Sequence, residues 1–568
     1  MYTTGSAFLD ALEEAGVAYL FANFGSDHPA IIESLAERTA AGRAAPKVIT
    51  CPNEMVALSA AQGYAQATGK AQAVVVHVDC GTQSLAGALH NASRCRTPVL
   101  IFAGMSPATQ EGELRGSRNE FIHWLQDTFD QRGLVRGYVK YSHEIRTGRN
   151  VKQIVHRALQ FAHSDPPGPV YLAAAREVLE EEVPRVTVEA SLWPAVSKAA
   201  IDAADLGELA RDLRAARRPL AVTSYVGRNP EAVAELARLC EAAGMGVLES
   251  VPSYLNFPPD HPLYVGNQGN EPVQNAALAE ADFVLAVDSD VPWIPLVNRP
   301  DAGARIYQID LDPLKEQMPL WQIPARSVFR ADAAIALRQI RESMGADTGA
   351  AEERRRHYAA VHEERARKIA ERERPRGDSI TPEFLTAAVR RFCDGETIVL
   401  NEGITNYTAI NSHIGIGHAG GRFTSGGSSL GWNGGAAIGM KLAYPEKTVV
   451  CLTGDGSYLF SQPSTVHWMA RRYGTPFVQI VFNNGGWRAP RYSTLAVHPD
   501  GYASRAADLG VGFDPAPDYA GIAAAAGGAL GLTVRGAGEL GAALDAAFRA
   551  VRDERRCAVL DVWLPPDR

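Results

Sequence analysis

The sequence predicts an α/β protein of three doubly wound parallel-sheet domains. Short apolar runs such as AQAVVVHV at 71–78 and TVVCLTGDG at 448–456 alternate with stretches of helical spacing. Continuous apolar runs of this length, stopping at Gly-rich polar turns, mark strands buried on both faces of a parallel sheet. Two weakly patterned segments, VPRVTVEASLWPAV at 183–196 and EERRRHYAAVHEERARKIAERERPRG at 352–377, divide the chain. A length of 568 residues holds about three domains of ordinary size.

Residues 1–180 form the first predicted domain. MYTTGSAFLDALEEAGVAYLF reads as an amphipathic helix and then a strand, AQAVVVHV and PVLIFAG as buried strands, and DPPGPVYLAAA as a turn and a closing strand. The second domain, 195–345, takes its strands from RPLAVTSYV, ADFVLAVDSD and ARIYQIDLD. The charge-dense segment interleaves both signs, which predicts a solvated helix bridging domains and argues against a nucleic-acid patch. Residues 375–568 form the third domain, which resembles the first in its alternation.

Bulk properties narrow the function classes. Hydrophobic residues make up 46% and charged residues 21%, with a net charge of −8, so neither nucleic acid nor an anionic membrane is an expected partner. No apolar run has the length needed to cross a bilayer. Acids stand in the N-terminal segment where a signal peptide carries bases, which predicts a cytoplasmic protein. Cys51, Cys80, Cys95, Cys240, Cys393, Cys451 and Cys557 are scattered without CxxC spacing and read as free thiols. GDGSYL lacks the third Gly of a dinucleotide fingerprint, GYAQATGKA has the wrong spacing for a phosphate-binding P-loop, and no HExxH or Cys/His metal spacing occurs.

Two segments carry chemistry. TVVCLTGDGSYLF ends a strand at Gly454-Asp455-Gly456-Ser457, and FVQIVFNNGGW ends one at Asn483-Asn484-Gly485-Gly486. The stretch between them is long enough for one crossover helix, and a right-handed crossover sets both turns side by side at one sheet edge. Such an edge is where open α/β sheets bind ligands. The Asp455 carboxylate, the Asn484 side-chain carbonyl and the Gly486 backbone carbonyl are hard oxygen donors suited to Mg²⁺ that keeps other positions for phosphate. A helix start expected at Ser461-Gln462-Pro463 would offer free N–H groups to a diphosphate.

With Ile438-Gly439, Pro445, Val450 and Leu452 upstream, these residues resemble the cofactor motif of thiamine-diphosphate enzymes of the acetolactate synthase, benzoylformate decarboxylase and pyruvate oxidase type. The resemblance covers nearly the whole chain, as pyrimidine-binding, central and diphosphate-binding domains. It implies thiamine diphosphate and Mg²⁺ as cofactors, with Asp455, Asn484 and Gly486 at the metal. Gly454, Gly456, Ser457, Thr405 (in LNEGITNYT) and Ser428 are the implied cofactor contacts, and Leu430 props the cofactor rings into a V. Glu54, in ITCPNEMVALSAAQGYAQATGK, is the implied acid exchanging a proton with N1′ of the pyrimidine ring, in a mostly apolar site. Its place in a helix's first turn, with Asn53 as N-cap, is also ordinary helix chemistry. His77, ending its strand, is the implied proton donor or acceptor, as in benzoylformate decarboxylase; it is also readable as a structural His at a strand end. Ser26, His123, Gln126 and Trp487 are candidate pocket residues, and Arg488 or Arg491 is a candidate for a substrate carboxylate.

The chain departs from the family in two places. Gly434-Gly435 replace the usual Leu-Pro, which predicts a looser loop, and the tandem His pair of pyruvate decarboxylases is missing. The function implied is carbon–carbon lyase or carboligase action on a 2-oxo acid, acetolactate-synthase-like: decarboxylation to an enamine, then ligation to a second carbonyl. The alternatives are a simple decarboxylase of benzoylformate decarboxylase type and a catalytically silent homologue, against which the joint presence of Glu54, Asp455 and Asn484 argues. FAD is the less favoured additional cofactor, because VDSDVPWIPLVNRP lacks the Arg-rich turn that synthases use against it. The resemblance also implies a homo-oligomer, with Glu54 and the metal site of each active centre coming from different chains.

Overall fold

The computed structural model describes residues 1–43, 46–345, 349–506 and 509–565. Three six-stranded sheets, parallel throughout, organise them. The N-terminal sheet comprises β1 (Tyr19–Ala22), β2 (Lys47–Thr50), β3 (Ala73–Val76), β4 (Leu100–Met105), β5 (Tyr141–Ile145) and β6 (Val170–Ala175), in the order 2-1-3-4-6-5. The central sheet has β7 (Pro219–Thr223), β8 (Gly246–Ser250), β9 (Tyr264–Gln268), β10 (Phe283–Val287), β11 (Arg305–Asp310) and β12 (Ser327–Arg330), in the order 12-11-10-7-8-9. The C-terminal sheet has β13 (Thr397–Glu402), β14 (Arg422–Phe423), β15 (Thr448–Gly454), β16 (Val478–Asn483), β17 (Leu530–Val534) and β18 (Ala558–Trp563), in the order 14-13-15-16-18-17. The first and third orders are the same pattern, so the likeness of the two domains extends to topology.

These strands form because they are buried on both faces. Every residue of β3, β7, β10 and β16 is buried, which leaves no polar face to pattern. The central sheet keeps its own core. The N- and C-terminal domains instead share one, through the helices Glu54–Thr68 and Trp432–Ala443. Glycines let these two helices meet backbone to backbone. A Cβ on Gly63 would lie 2.4 Å from the Ala436 carbonyl oxygen, and one on Gly439 would lie 1.9 Å from that of Ala60.

Gly434 and Gly435 belong to helix contacts, not to a loosened loop: Gly435 to this one, and Gly434 to Val466, whose side chain a Cβ there would meet at 3.0 Å. They are buried in the first turn of the Trp432–Ala443 helix, where a Cβ on Gly435 would sit 2.7 Å from Ser59 Cβ. The charge-dense segment forms the helix Ala350–Arg372, mostly exposed but docked on the central domain. Buried Tyr358 donates its hydroxyl to the Pro219 carbonyl at 2.8 Å, and buried Arg354 donates to that of Ala243 at 2.9 Å.

A buried ion pair ties the central and C-terminal domains. Arg422 Nη2 donates to both oxygens of Glu249 at 2.9 and 2.8 Å, with the two side chains 1% and 0% exposed. Glu249 also accepts from Tyr264 Oη and from the backbone and side-chain nitrogens of Asn256. All seven cysteines are free thiols, five of them buried and Cys80 exposed. Among the described residues no helix is long and apolar enough to cross a membrane.

Candidate active site

β15 and β16 are hydrogen-bonded neighbours, Gly454 opposite Phe482, so the two Gly-rich turns emerge side by side. The helix at the first turn begins earlier than the sequence suggests: Asp455–Phe460 is itself helical, and a second helix, Pro463–Tyr473, starts at the expected place. Asp455 is nearly buried and accepts from the backbone N–H groups of Gly456 at 2.7 Å and Gly486 at 2.8 Å. Burial raises its carboxyl above the ordinary value, against the lowering effect of these N–H groups. Gly486 has φ 142° and sits where a Cβ would be 2.2 Å from the Val511 carbonyl oxygen, so only glycine fits.

Asn484 donates through Nδ2 to Thr405 Oγ1 at 3.4 Å, while its buried Oδ1 has no hydrogen-bond partner. Ser457 Oγ, also buried, likewise has none. Thr405 is exposed in a turn of three residues after β13, beside Ile404 at φ 48°, an unusual conformation for a β-branched residue. Trp487, 36% exposed, packs edge-on against Phe513 and over Gly456. Half-buried Leu430 and exposed Ser428 lie in the neighbouring 424–431 segment, where Ser428 Oγ meets His90 Nε2 at 3.2 Å. Arg488 is turned back onto the Asn484 carbonyl at 2.5 and 3.0 Å, and so anchors the turn.

The second constellation stands on the N-terminal sheet. Glu54 opens the helix Glu54–Thr68, capped by Asn53, whose side chain accepts from Val56 N. Its surroundings are polar, where a mostly apolar site is expected from sequence: Oε1 accepts from Asn23 Nδ2 at 2.9 Å and Oε2 from Ser84 Oγ at 2.8 Å. Ser84 ends the short helix Val78–Ser84, at whose head stands His77. His77 Nδ1 meets Asp27 Oδ1 at 2.5 Å and its Nε2 meets Gln126 Oε1 at 2.9 Å. The hydrogen bond to Asp27 raises the imidazole above the ordinary histidine value, against partial burial.

Beside it, fully buried His123 meets Ser26 Oγ through Nε2 at 3.2 Å, and burial together with the Arg176 charge lowers its pKa. Ser26, His77, His123 and Gln126 are thus brought together around one cluster. The hydrogen-bond partners of Glu54 lie in the N-terminal domain and those of Asp455 in the C-terminal domain.

Family models put this architecture in context. Residues 2–134 match "Thiamine pyrophosphate enzyme, N-terminal TPP binding domain", residues 206–337 the central domain and residues 403–562 the C-terminal TPP binding domain of the same enzymes. The chain is a thiamine-diphosphate-dependent enzyme. It is 27% identical over 504 residues to a benzoylformate decarboxylase of Pseudomonas aeruginosa, covering 87% of this chain and 88% of that one. It is 24% identical to an acetolactate synthase large subunit of Haemophilus influenzae, covering 84% and 81%. Its fold matches a thiamine diphosphate-dependent 4-hydroxybenzoylformate decarboxylase of Rhodococcus jostii at TM-score 0.78 and 22% identity, covering 100% and 99%.

For a thiamine-diphosphate enzyme the residues present fit the group. The unpartnered Asn484 Oδ1 and the Asp455 carboxylate form a hard-oxygen set for a divalent cation. The unpartnered Ser457 Oγ and the Thr405 hydroxyl stand ready for phosphate oxygens. Sequence reasoning missed Asp27, Asn23 and Ser84, which hold His77 and Glu54, and Glu402. Glu402 is buried and receives the N–H groups of Gly431, Trp432 and Asn433, and burial pushes its carboxyl up to about 7 against them. It also missed Arg176, which donates to Ser26, Gly116 and Ser117 carbonyls and to Asn119. A polar residue directly after an apolar strand, as Asn23 follows YLFA and Arg176 follows VYLAAA, is the one signal that could have flagged any of them.

Proposed function

We propose that this enzyme decarboxylates a 2-oxo acid and releases the aldehyde. The observation carrying the reading is His77, paired through Nδ1 with Asp27 and heading the helix that ends on Glu54. Thiamine diphosphate, when bound, supplies a nucleophilic carbon for the keto group and takes up the electrons released with CO₂.

Glu54 would exchange a proton with the pyrimidine N1′. Asp455, Asn484 and the Gly486 carbonyl would hold Mg²⁺, Gly454 and Gly456 would let backbone approach the diphosphate, and Thr405, Ser428 and Ser457 would take its oxygens. Leu430 would support the cofactor rings. Ser26, His123, Gln126 and Trp487 would form the substrate wall. His77 would give a proton to the carbon that has lost CO₂, and the aldehyde would leave when that carbon's bond to the cofactor breaks and its hydroxyl gives up a proton. The two half-sites would meet across a homodimer interface, Glu54 of one chain facing Asp455 of its partner.

Carboligation, the acetolactate-synthase-like outcome, is supported by the synthase among the relatives and by a cavity of about 690 Å³ bordering Thr405, Thr408, Gln268 and Tyr492. A second carbonyl would fit there. FAD has no place in this reading. At the edge between β7 and β10, where a sheet of this order binds nucleotides, Tyr225, Lys315, Asp290 and Arg96 hydrogen-bond to one another, and the last three border a cavity of about 440 Å³.

The test is a panel of 2-oxo acids given with thiamine diphosphate and Mg²⁺. CO₂ is measured, and NMR separates aldehyde from acyloin or acetohydroxyacid. Aldehyde as the main product is expected, with His77→Ala slowed about a hundredfold or more in its release. Ligation products predominating would favour the second outcome, and no CO₂ from any acid would sink both.

A further inference from the structure

We propose that Asp27 is a positioning residue of this site: one carboxylate oxygen fixes the His77 ring and the other fixes the backbone beside it, so that a proton stands on Nε2, the nitrogen at Gln126. The inference rests on the proposed function only for the use His77 makes of that proton.

Each oxygen of Asp27 has its own task. Oδ1 lies 2.5 Å from His77 Nδ1, and Oδ2 accepts from the Val78 N–H at 3.1 Å. Val78 has φ 31°, a costly conformation for a β-branched residue. The Asp27 bond therefore holds the backbone in a bend that aims the preceding side chain. Space has been cleared for the pair. A Cβ on Gly25 would lie 1.9 Å from His77 Nδ1, and one on Gly104 would lie 1.8 Å from Asp27 Oδ2.

Asp27 is fully buried, and a buried carboxylate needs donors. His28 Nδ1 lies 3.0 Å from Asp27 Oδ1 but accepts from the Gly25 N–H at 3.1 Å. It therefore has no Nδ1 proton to offer. His77 and Val78 are left as the donors. With Nδ1–H directed at Asp27, the bond to Gln126 Oε1 requires a proton on Nε2 as well. The charged groups facing His77 are Asp27 from the loop after β1 and Asp79 from its own helix, both of which raise its pKa. Gln126 is neutral, and its buried Nε2 is unpartnered.

The test uses the full chain without cofactor, as wild type and D27N. Deuterium exchange at the imidazole carbon between the ring nitrogens is followed against pH by mass spectrometry of the His77 peptide. The other histidine peptides, apart from that of His28, which lies 3.0 Å from Asp27, report any global change. In wild type the His77 midpoint is expected above that of a short unstructured histidine peptide, and in D27N it is expected to fall while the others stay. With cofactor, substrate and Mg²⁺, D27N should lose about a hundredfold in kcat with KM little changed, and the limb of the pH profile assigned to His77 should move with the exchange midpoint. An unchanged His77 midpoint in folded D27N overturns the proposal. So does a wild-type midpoint at or below the peptide's, which decides the matter even if D27N does not fold. Wild-type enzyme that titrates as expected yet acts on no 2-oxo acid would overturn the functional reading and leave the Asp27–His77 pairing standing.

Discussion

Glu249→Ala probes the contact between the central domain and the C-terminal half-site. It removes the carboxylate that receives Arg422, Tyr264 and Asn256, while Arg422 stays where it is, 1% exposed. Its remaining acceptors are weak: the Tyr254 carbonyl at 3.3 Å and that of Asn411 at 3.5 Å. Breaking a buried pair by taking one partner costs about 3–5 kcal/mol, because the surviving charge is uncompensated. For a cooperative unit of some 150–250 residues each kcal/mol lowers Tm by about 2–4 °C. The first calorimetric transition should therefore fall by roughly 10 °C. Glu249→Leu with Arg422→Met removes both charges and should recover most of that loss, since a well-packed apolar pair is often as stable as the buried ions. Scanning calorimetry of Glu249→Leu, Arg422→Met and the double closes the cycle, with Glu249→Ala as a further single. A single-variant loss under about 1 kcal/mol, or a double as unstable as the singles summed, would refute the assignment of this pair as the interdomain tie.

Three further outcomes are expected. Asp455→Ala should lose Mg²⁺-dependent retention of thiamine diphosphate; tight binding of the cofactor by that variant in calorimetry would contradict the metal site. Glu54→Gln should bind cofactor but exchange its C2 proton far more slowly by NMR, and co-expression of Glu54→Gln with Asp455→Ala should restore up to about half of the wild-type activity per heterodimer, because two-fold symmetry leaves one intact site; no rescue in a confirmed heterodimer would place both half-sites in one chain. His467 is buried, and burial lowers its pKa to about 4. A depressed histidine contributes stability above its unfolded value of about 6.5 that is lost as pH falls towards 4, up to about 3 kcal/mol at 1.36 kcal/mol per unit. His467→Phe should flatten that acid limb in urea titrations between pH 7 and 4; an unchanged limb would show that other groups set it.

What could be read from sequence was local or governed by topology rules. The two Gly-rich turns were legible because strand, crossover and neighbouring strand follow in order, and β15 and β16 are indeed paired. The start of the Glu54 helix was legible from Asn53, which caps it. The pairing of Asp27 with His77 was not, because they lie 50 residues apart and meet only through the pairing of β1 with β3. Glu402 reaches the N–H of Gly431, 29 residues on, by the same kind of long-range closure. The helix at Asp455 was hidden by its glycines, which read as turn, and Gly434-Gly435 misled for the same cause: glycine spells looseness in isolation and close approach when a second helix lies against it. The polar neighbours of Glu54 come from two separate stretches and leave no mark in its own segment.

The bare-backbone meeting of the Glu54–Thr68 and Trp432–Ala443 helices bears on how such a protein diversifies. At Gly63, Gly435 and Gly439 even one added carbon collides with backbone or with Ser59, so the spacing of the two outer domains is a fixed quantity on which mutation can act only by breaking it. Residues 107–125 are less tightly held: Arg176 pins Gly116, Ser117 and Asn119 and Glu177 pins Thr109, with His123 buried, while Phe121, Trp124 and Leu125 face outward. Changes of diet would then be written in that loop, with the frame that carries the cofactor inherited untouched, and a library aimed at new substrates should be confined there.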